Sequence, residues 1–322
     1  MLTKEKEGYK MDQAGTLRSM VRKRGKPGSG GDEGENVRGE RLGKNKRSCI
    51  QVIAVTSGKG GVGKTNVVAN LGYALTRLNK RVLILDADIG LANLDVLLGL
   101  TSKYNLQHVL NGEKSISEVV ISGPGGMKIL PASSGVQELS NLNKAQRLCL
   151  LSELNSLHDE TDVLLIDTSA GISSNVMYFN LAAQEILIVV SPEPTSITDA
   201  YAIMKILFLK YSENHFKLLV NSVKSAEEAK EVFYHLSLVA QKFLNLSIDY
   251  WGYIPRDEHV VKAVRRQKAL IELYPNSPAS KSFFDLAKKV CENQPNVSSR
   301  GSIRFFWSQI LENQEALPLE VL

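Results

Sequence analysis

The chain has 322 residues, of which 43% are hydrophobic and 23% charged, which is ordinary for a globular protein with one large domain and appendages. No run approaches the roughly 18 consecutive apolar residues of a membrane span, and the charged N-terminus lacks the apolar segment of a signal peptide. The formal net charge of +5 is uneven: residues 1–47 hold 13 Lys and Arg against 7 Asp and Glu, and the remainder holds 26 against 27. We therefore expect no direct binding of nucleic acid by the folded part.

Residues 1–47 are predicted to form a flexible basic arm, because residues 25–43 are rich in glycine and charge and nearly free of apolar side chains. One short segment within the arm differs. Asp12 can cap a helix on which Ala14 and Leu17 share an apolar stripe. An amphipathic segment on a flexible tether is typical of a docking peptide, although the composition alone also allows a disordered tail.

A glycine-rich loop separates a predicted strand from a predicted helix. Val52 to Val55 is a β-branched apolar run typical of a buried parallel strand, and Asn66 to Leu78 has helical spacing. The loop between them satisfies the eight-residue pattern of a phosphate-binding loop, whose backbone N–H groups face phosphate charge. We predict that nucleotide contacts come from the whole loop: Gly58, Lys59, Gly60, Gly61, Val62, Gly63, Lys64, Thr65 and Asn66.

The loop contains two lysines. Lys64 can reach the β- and γ-phosphates, and the Thr65 hydroxyl can bind Mg²⁺. Lys59 is not needed to hold phosphate within one subunit, and taken alone it could be a solvated loop lysine. However, the run from Lys59 to Thr65, Lys-Gly-Gly-Val-Gly-Lys-Thr, resembles the deviant Walker A loop of the MinD/ParA ATPases. In that family the first lysine reaches the partner's nucleotide, so the resemblance implies an ATP-dependent homodimer with ATP and Mg²⁺ as cofactors and both lysines catalytic.

Aspartates end two further predicted strands, Arg81–Asp86 and Asp162–Asp167. Asp88 follows the first of them closely. The carboxyl ends of strands are where ligands bind in open parallel sheets, although such carboxylates can also cap the next turn. By resemblance to the family, Asp88 positions the attacking water, Asp86 supports the site, and Asp167 holds Mg²⁺ through water at the Walker B position.

The segments that follow these acids also match the family. Residues 87–95 resemble switch I, and residues 168–171 resemble switch II, although the family pattern usually has proline or glycine where Ser169 stands. The metal site implied by the resemblance consists of Thr65, Asp86 and Asp167.

Further strands are predicted at residues 128–132, 185–190 and 216–221, and helices at residues 142–157 and after Pro192. By resemblance, three residues contact or close over adenine: Asn221, Pro255 and Asp257. The arginine often found beside the asparagine is absent, which leaves its stacking role in doubt. The alternative is that these segments are ordinary surface loops.

The C-terminal segment carries an apolar stripe at helical spacing after a polar linker. The stripe consists of Ile303, Phe306, Trp307, Ile310 and Leu311. Large aromatic residues with nearby arginine suit a membrane interface, and a helix packed on the domain is the alternative. The segment resembles the membrane-targeting helix of MinD and of its flagellar relatives, the FlhG group.

The arm contains Asp12-Gln13-Ala14 followed by Leu17-Arg18, which resembles the DQAxxLR motif of the FlhG group. There the motif binds and stimulates the GTPase FlhF. The resemblance implies a cytoplasmic ATPase that cycles to the cytoplasmic face of the cell membrane and controls flagellar number or placement. Its partners would be itself, FlhF, the inner membrane surface and further flagellar proteins, either of the switch ring or a transcription activator.

The predicted fold is α/β: a doubly wound, mostly parallel sheet flanked by helices. The predicted organisation is an arm at 1–47, an ATPase domain at 48–294, and a linker with a membrane-targeting helix at 295–322. Rival functions are a MinD-type division regulator, a ParA-type partitioning ATPase and, with a substrate pocket, an ATP-dependent ligase. An iron–sulfur carrier would need paired cysteines, whereas the three cysteines here are isolated and are predicted to be reduced thiols.

Overall fold

Most strands of the sheet form from short apolar segments at the positions where the sequence predicts strands. A computed structural model describes residues 50–88, 94–131, 152–153, 156–157 and 160–293. The arm, the C-terminal helix, most of switch I and most of the predicted helix at 142–157 lie outside these described residues. Cys291 is a free thiol within them. None of the helices in the described ranges has the length and apolarity needed to cross a membrane.

Within the described residues the strands form one sheet in the order β3-β4-β2-β5-β1-β6-β7-β8. Every neighbouring pair is parallel except β3 with β4, which confirms the predicted doubly wound, mostly parallel fold. The strands are β1 (Gln51–Ser57), β2 (Val82–Ala87), β3 (Ile121–Ser122), β4 (Lys128–Pro131), β5 (Val163–Ala170), β6 (Glu185–Val190), β7 (Phe216–Val223) and β8 (Ile248–Pro255).

Helices connect most of these strands. They are α1 (Lys64–Arg77), α2 (Leu94–Leu98), α3 (Leu106–Leu110), α4 (Ile116–Val119), α5 (Ser174–Ala182), α6 (Pro194–Tyr211), α7 (Ala226–Leu244), α8 (Glu258–Arg265), α9 (Leu270–Leu273) and α10 (Pro278–Glu292), and a 3₁₀ turn spans Pro124–Gly126. Pro255, which the resemblance assigns to a segment that closes over adenine, is the last residue of strand β8. The sequence analysis missed β8 because this edge strand mixes apolar with polar residues and contains a bulge beside Gly252.

The central strands are buried on both faces, as their continuous apolar sequences require. Ile53 and Val55 of β1 pack with α1 and α10 on one face. Val52 and Ala54 of the same strand pack on the opposite face with α5. Helices α6 and α7 extend that second layer over β6 and β7. The sheet is therefore the middle layer between two sets of helices.

The order of strands places a crevice beside β1. Its neighbours are β5 on one side and β6 on the other. Helix α1, which follows β1, covers one face, and α6, which follows β6, covers the other. Chain connections that diverge to opposite faces leave an opening at the carboxyl ends of the strands, where ligands bind in such sheets. The glycine-rich loop lies at this edge.

Candidate functional site

The loop between β1 and α1 has the backbone conformation of a phosphate-binding nest. Gly61 and Gly63 adopt left-handed φ values of 81° and 89°, and Gly63 is the N-cap of α1. The Ser57 hydroxyl donates a hydrogen bond to the Lys59 carbonyl at 3.0 Å, which closes the start of the loop. Alternating left-handed residues at a helix N-terminus turn backbone N–H groups toward a common anion. The predicted loop residues therefore form a cradle that suits a polyphosphate.

Lys64 and Asp167 form a buried ion pair at the base of this loop, with side chains 7% and 1% exposed. The Thr65 hydroxyl also interacts with the Asp167 carboxylate and favours its ionised form. Burial raises the pKa of the Asp167 carboxyl above its usual range, although the adjacent Lys64 ammonium opposes this shift. Three predicted site residues from two distant parts of the sequence thus meet at one point.

Two further predicted aspartates lie next to this pair. Asp86 is the register partner of Asp167 on the neighbouring strands β2 and β5. The Asp88 backbone N–H donates to Asp86 Oδ1 at 3.3 Å. Burial, and next the charge of Asp167, raise the pKa of Asp86 from 3.8 to about 7. The structure therefore concentrates carboxylates where a cation would be needed to neutralise them.

The residues at these strand ends fit a magnesium nucleotide better than a metal ion alone. Among the described residues, no group of three or more His, Cys, Asp and Glu side chains could by itself hold a metal. Mg²⁺ takes few protein ligands and keeps water and phosphate oxygens in its shell. The Thr65 hydroxyl and the carboxylates of Asp86 and Asp167 would be the oxygen donors for it, and Lys64 would be the cation for the phosphates.

Lys59 occupies a different environment from Lys64. Its side chain is 36% exposed and forms an ion pair with the carboxylate of Glu193. Its ammonium also donates to the Thr195 hydroxyl at 2.9 Å. These two partners lie at the start of α6, on the far side of the loop from the aspartates. The sequence predicted only a helix after Pro192 here and gave no sign that this acid and hydroxyl would meet Lys59.

The residues predicted to contact adenine lie on the β7–β8 side of the loop. The Asn221 amide donates to the Val62 carbonyl at 2.7 Å, and a side chain on Gly63 would overlap that amide. Pro255 is the last residue of β8. The carboxylate of Asp257 accepts hydrogen bonds from the backbone N–H groups of His259 at 2.9 Å and Ala279 at 3.2 Å. These bonds hold its pKa below the usual range against the opposing effect of burial.

The carboxylate of Asp257 therefore caps α8 and ties it to α10. An open cleft of about 640 Å³ lies between the loop and the ends of β6, β7 and β8. Its lining includes two cations that sequence analysis did not select, Lys224 and Arg256. They come from different strand ends, and only the pairing of β7 with β8 brings them together.

This combination of a parallel sheet, a nest at the switch point and acids at adjacent strand ends defines a nucleotide-hydrolysing P-loop protein. Residues 50–218 match a family described as an AAA domain. The chain is 46% identical over 264 residues to the antiactivator FleN of Pseudomonas aeruginosa, an alignment covering 82% of this chain and 94% of FleN. It is 33% identical over 253 residues to the flagellum site-determining protein YlxH of Helicobacter pylori, covering 78% and 85% respectively.

Solved structures agree with these relatives. A chain of the MinC:MinD cell division complex of Aquifex aeolicus superposes with a TM-score of 0.60 at 32% identity, covering 77% of this chain and 98% of that one. MinD of Pyrococcus horikoshii, solved with Mg-ADP, gives a TM-score of 0.59 at 25% identity, covering 75% and 96%. The chain belongs to the MinD/ParA-type P-loop ATPases, in the group that includes FleN and YlxH.

Proposed function

We propose that this ATPase is a dimerising switch that controls the number or placement of flagella. The observation that carries the proposal is the different environment of the two loop lysines. Lys64 is buried against Asp167, whereas Lys59 lies at the rim of the cleft on Glu193 and Thr195. The position of Lys59 on the outer side of the loop supports a role in which it leaves its own chain and enters a facing subunit.

The direction of the switch follows from what holds Lys59 in the single subunit. Its partners are one exposed carboxylate, 63% accessible, and one hydroxyl. An exposed ion pair contributes at most about 1 kcal/mol. The charge of a partner's bound triphosphate can therefore compete for this ammonium. ATP would favour the dimer in this way, and the loss of the γ-phosphate would release it.

The roles of the remaining residues in hydrolysis are those that the family resemblance implies, and their positions at the catalytic edge support them. Bound Mg-ATP supplies the γ-phosphoryl group that water attacks. Lys64 would balance phosphate charge, Thr65 and Asp167 would hold the cation, and Asp88 would orient the water. Positioning and charge stabilisation account for most of the catalysis of phosphoryl transfer, so no covalent step by the protein is required.

The flagellar part of the proposal draws on the relatives and on the two appendages. FleN is called an antiactivator and YlxH a flagellum site-determining protein. The arm motif at residues 12–18 would bind and stimulate FlhF, and the stripe at residues 303–311 would bind the cytoplasmic face of the membrane when ATP pairs two copies. Both segments lie outside the described residues, so these roles rest on sequence.

The test of the dimer is light scattering of the full chain with and without ATP. Lys64→Ala is expected to bind ATP very weakly, and Lys59→Ala to bind ATP but stay monomeric. Asp88→Ala is expected to dimerise with ATP and fail to hydrolyse it. Lys205→Ala, an exposed lysine on α6, is the matched control and is expected to behave as wild type. A monomeric Asp88→Ala protein at saturating ATP would contradict the proposed roles.

The biological test is deletion of the gene followed by counting of flagella and inspection of division. A changed number or position of flagella that wild type restores and Lys64→Ala does not restore supports the proposal. Normal flagella together with misplaced division sites would instead indicate a MinD-type role. Loss of plasmid or chromosome partitioning alone would indicate a ParA-type role.

A further inference from the structure

A side-chain hydrogen bond joins the ends of β2 and β5 at the catalytic edge. The Ser169 hydroxyl donates to Asp88 Oδ1 at 2.8 Å. The bond extends the register of the two strands, in which Asp86 pairs with Asp167 and Ala87 with Thr168. Asp88 and Ser169 occupy the position that follows the last of these pairs on the two strands. Their contact is a consequence of the sheet and not of a chance loop conformation.

Ser169 lies on β5, which pairs with β1, the strand that leads into the phosphate-binding loop. The hydroxyl of its neighbour Thr168, which is fully buried, donates to the Val55 carbonyl of β1 at 3.1 Å. Two residues after Ser169, the Gly171 N–H donates to the Ser57 carbonyl at 2.9 Å. The backbone on both sides of Ser169 is thus bonded to β1. These bonds hold the backbone of Ser169 next to the strand that leads into the phosphate-binding loop.

Asp88 needs such support more than an ordinary surface aspartate does. It lies beside two other carboxylates, those of Asp86 and Asp167, and contributes to the raised pKa of Asp86. The buried ammonium of Lys64 is paired with Asp167. Like charges at short range push a carboxylate away unless a donor retains it. A carboxylate that is free to rotate also cannot hold a water molecule in one line of attack.

We propose that Ser169 is a positioning residue for ATP hydrolysis, whose hydroxyl fixes one oxygen of the Asp88 carboxylate so that this carboxylate can orient the attacking water. The inference rests on the proposed role of Asp88. Neither proline nor glycine, which the family pattern usually has at this place, could donate this bond. The device is therefore a property of this chain and not a requirement of the fold.

The experiment compares steady-state ATP hydrolysis by the full chain with Ser169 changed to Ala and to Thr. Ser169→Ala is expected to lower kcat about tenfold, the effect of losing one hydrogen bond to a charged group, with KM for ATP within about twofold of wild type. Ser169→Thr keeps the hydroxyl and is expected to retain kcat within about threefold. Ser174→Ala, an exposed serine at the start of α5, is the control and should match wild type.

A double-mutant cycle with Asp88→Ala separates this inference from the proposed function. The cycle compares the residual rates that remain without steady turnover, and if Ser169 acts through Asp88, Ser169→Ala causes no further loss of the residual rate of Asp88→Ala. A further tenfold loss there, a wild-type kcat for Ser169→Ala, or a Ser169→Thr protein as slow as Ser169→Ala would each overturn the inference alone. A wild-type rate for Asp88→Ala itself would overturn the assigned role of Asp88 and with it this inference. Thermal unfolding and ATP-dependent light scattering verify that each variant folds and dimerises.

Discussion

At the scale of single residues, the glycines of the phosphate loop have different reasons to be glycine. Gly63 adopts a left-handed conformation and lies against the Asn221 amide. Gly58 has no left-handed backbone, but a Cβ on it would overlap the backbone carbonyl of Asp199 in α6. Gly60 has open space around it. The loop pattern alone does not distinguish a glycine required for phosphate from one required for packing.

Gly58→Ala is therefore expected to destabilise the protein even without nucleotide. The added methyl group meets helix backbone that cannot move away, and overpacking of this kind costs about 1–3 kcal/mol. Gly60→Ala, the matched control, is expected to change the free energy of unfolding by less than about 0.5 kcal/mol. Urea denaturation of the nucleotide-free proteins measures both values. Equal stability of the two variants would contradict the packing role of Gly58.

Asp86 predicts a pH dependence of stability. Its folded pKa of about 7 lies above the ordinary value of 3.8, so the folded protein binds this proton more tightly than the unfolded chain does. The stabilisation is present below pH 4 and is lost as the pH rises through 7. A shift of about three units corresponds to about 4 kcal/mol at most.

Asp86→Asn is expected to remove this dependence. In metal-free buffer without nucleotide, the variant should gain stability relative to wild type between pH 4 and pH 8, by up to about 4 kcal/mol. Urea denaturation across this range measures the difference. Asp249→Asn, an exposed aspartate of β8, is the control and should follow wild type. If the free energies of unfolding of wild type and Asp86→Asn change with pH in the same way, the Asp86 carboxyl has an ordinary pKa and the prediction is wrong.

At the scale of secondary-structure elements, a polar cluster joins the amino ends of β1, β6 and β7 to the middle of β8 and the end of α10. Lys217 forms an ion pair with Glu185 at 2.7 Å and lies over the Trp251 ring at 4.2 Å. The Gln51 amide donates to Glu185 at 3.2 Å and to the Asn293 carbonyl at 3.1 Å. The cluster lies at the opposite ends of the strands from the phosphate loop. It therefore contributes to stability and not to nucleotide binding.

Glu185→Ala is expected to lower the free energy of unfolding by about 3 kcal/mol, because it leaves the largely buried Lys217 without its counter-ion. Adding Lys217→Met should recover part of this loss by removing the unpaired charge. The affinity for ATP should stay unchanged in both proteins. Glu258→Ala breaks an exposed pair with Lys262 and should cost less than about 1 kcal/mol. A similar small cost for Glu185→Ala would contradict the importance of the cluster.

At the scale of the whole molecule, the predicted appendages extend the ATPase domain to partners. A short amphipathic helix has marginal affinity for lipid, and pairing two helices raises the affinity through effective concentration. A dimer formed with ATP would therefore bind membrane when the monomer does not. The same reasoning does not apply to the arm, which is expected to act as a single docking peptide.

Binding to liposomes is expected to require both ATP and residues 303–311. Trp307→Glu should abolish sedimentation with anionic liposomes, since it places a charge on the apolar stripe. Gln309→Glu adds the same charge off the stripe and is expected to bind nearly as well as wild type. Equal binding in ADP and in ATP would remove nucleotide control from the proposal.

A peptide of residues 11–24 is expected to stimulate the GTPase activity of FlhF as well as the full chain does. If the peptide orders catalytic groups of FlhF, changes of Gln13 and Leu17 should reduce stimulation as much as a change of Arg18. If Arg18 acts as an arginine finger, Arg18→Lys should remove nearly all stimulation, because lysine lacks the planar fork. An inert peptide beside an active full-length chain would assign the activation to the domain surface.

Most of the fold could be predicted from sequence because most of its strands are continuous apolar runs flanked by glycine or aspartate residues. β6 was predicted with its observed bounds, and β1, β2, β5 and β7 within a few residues. The edge strands β3 and β8 were missed. A two-residue strand has no pattern to detect, and β8 owes its conformation to its pairing with β7.

The sequence by itself determined the chemistry of the phosphate loop, because a nest needs glycine, lysine and threonine at set spacings along one stretch of chain. It also placed Asp86, Asp88 and Asp167 at strand ends. Only the tertiary structure decided which groups these residues meet: Glu193 and Thr195 on Lys59, Asp167 on Lys64, and Ser169 on Asp88. Such contacts depend on strand order and register, which bring together residues far apart in sequence and leave no local pattern.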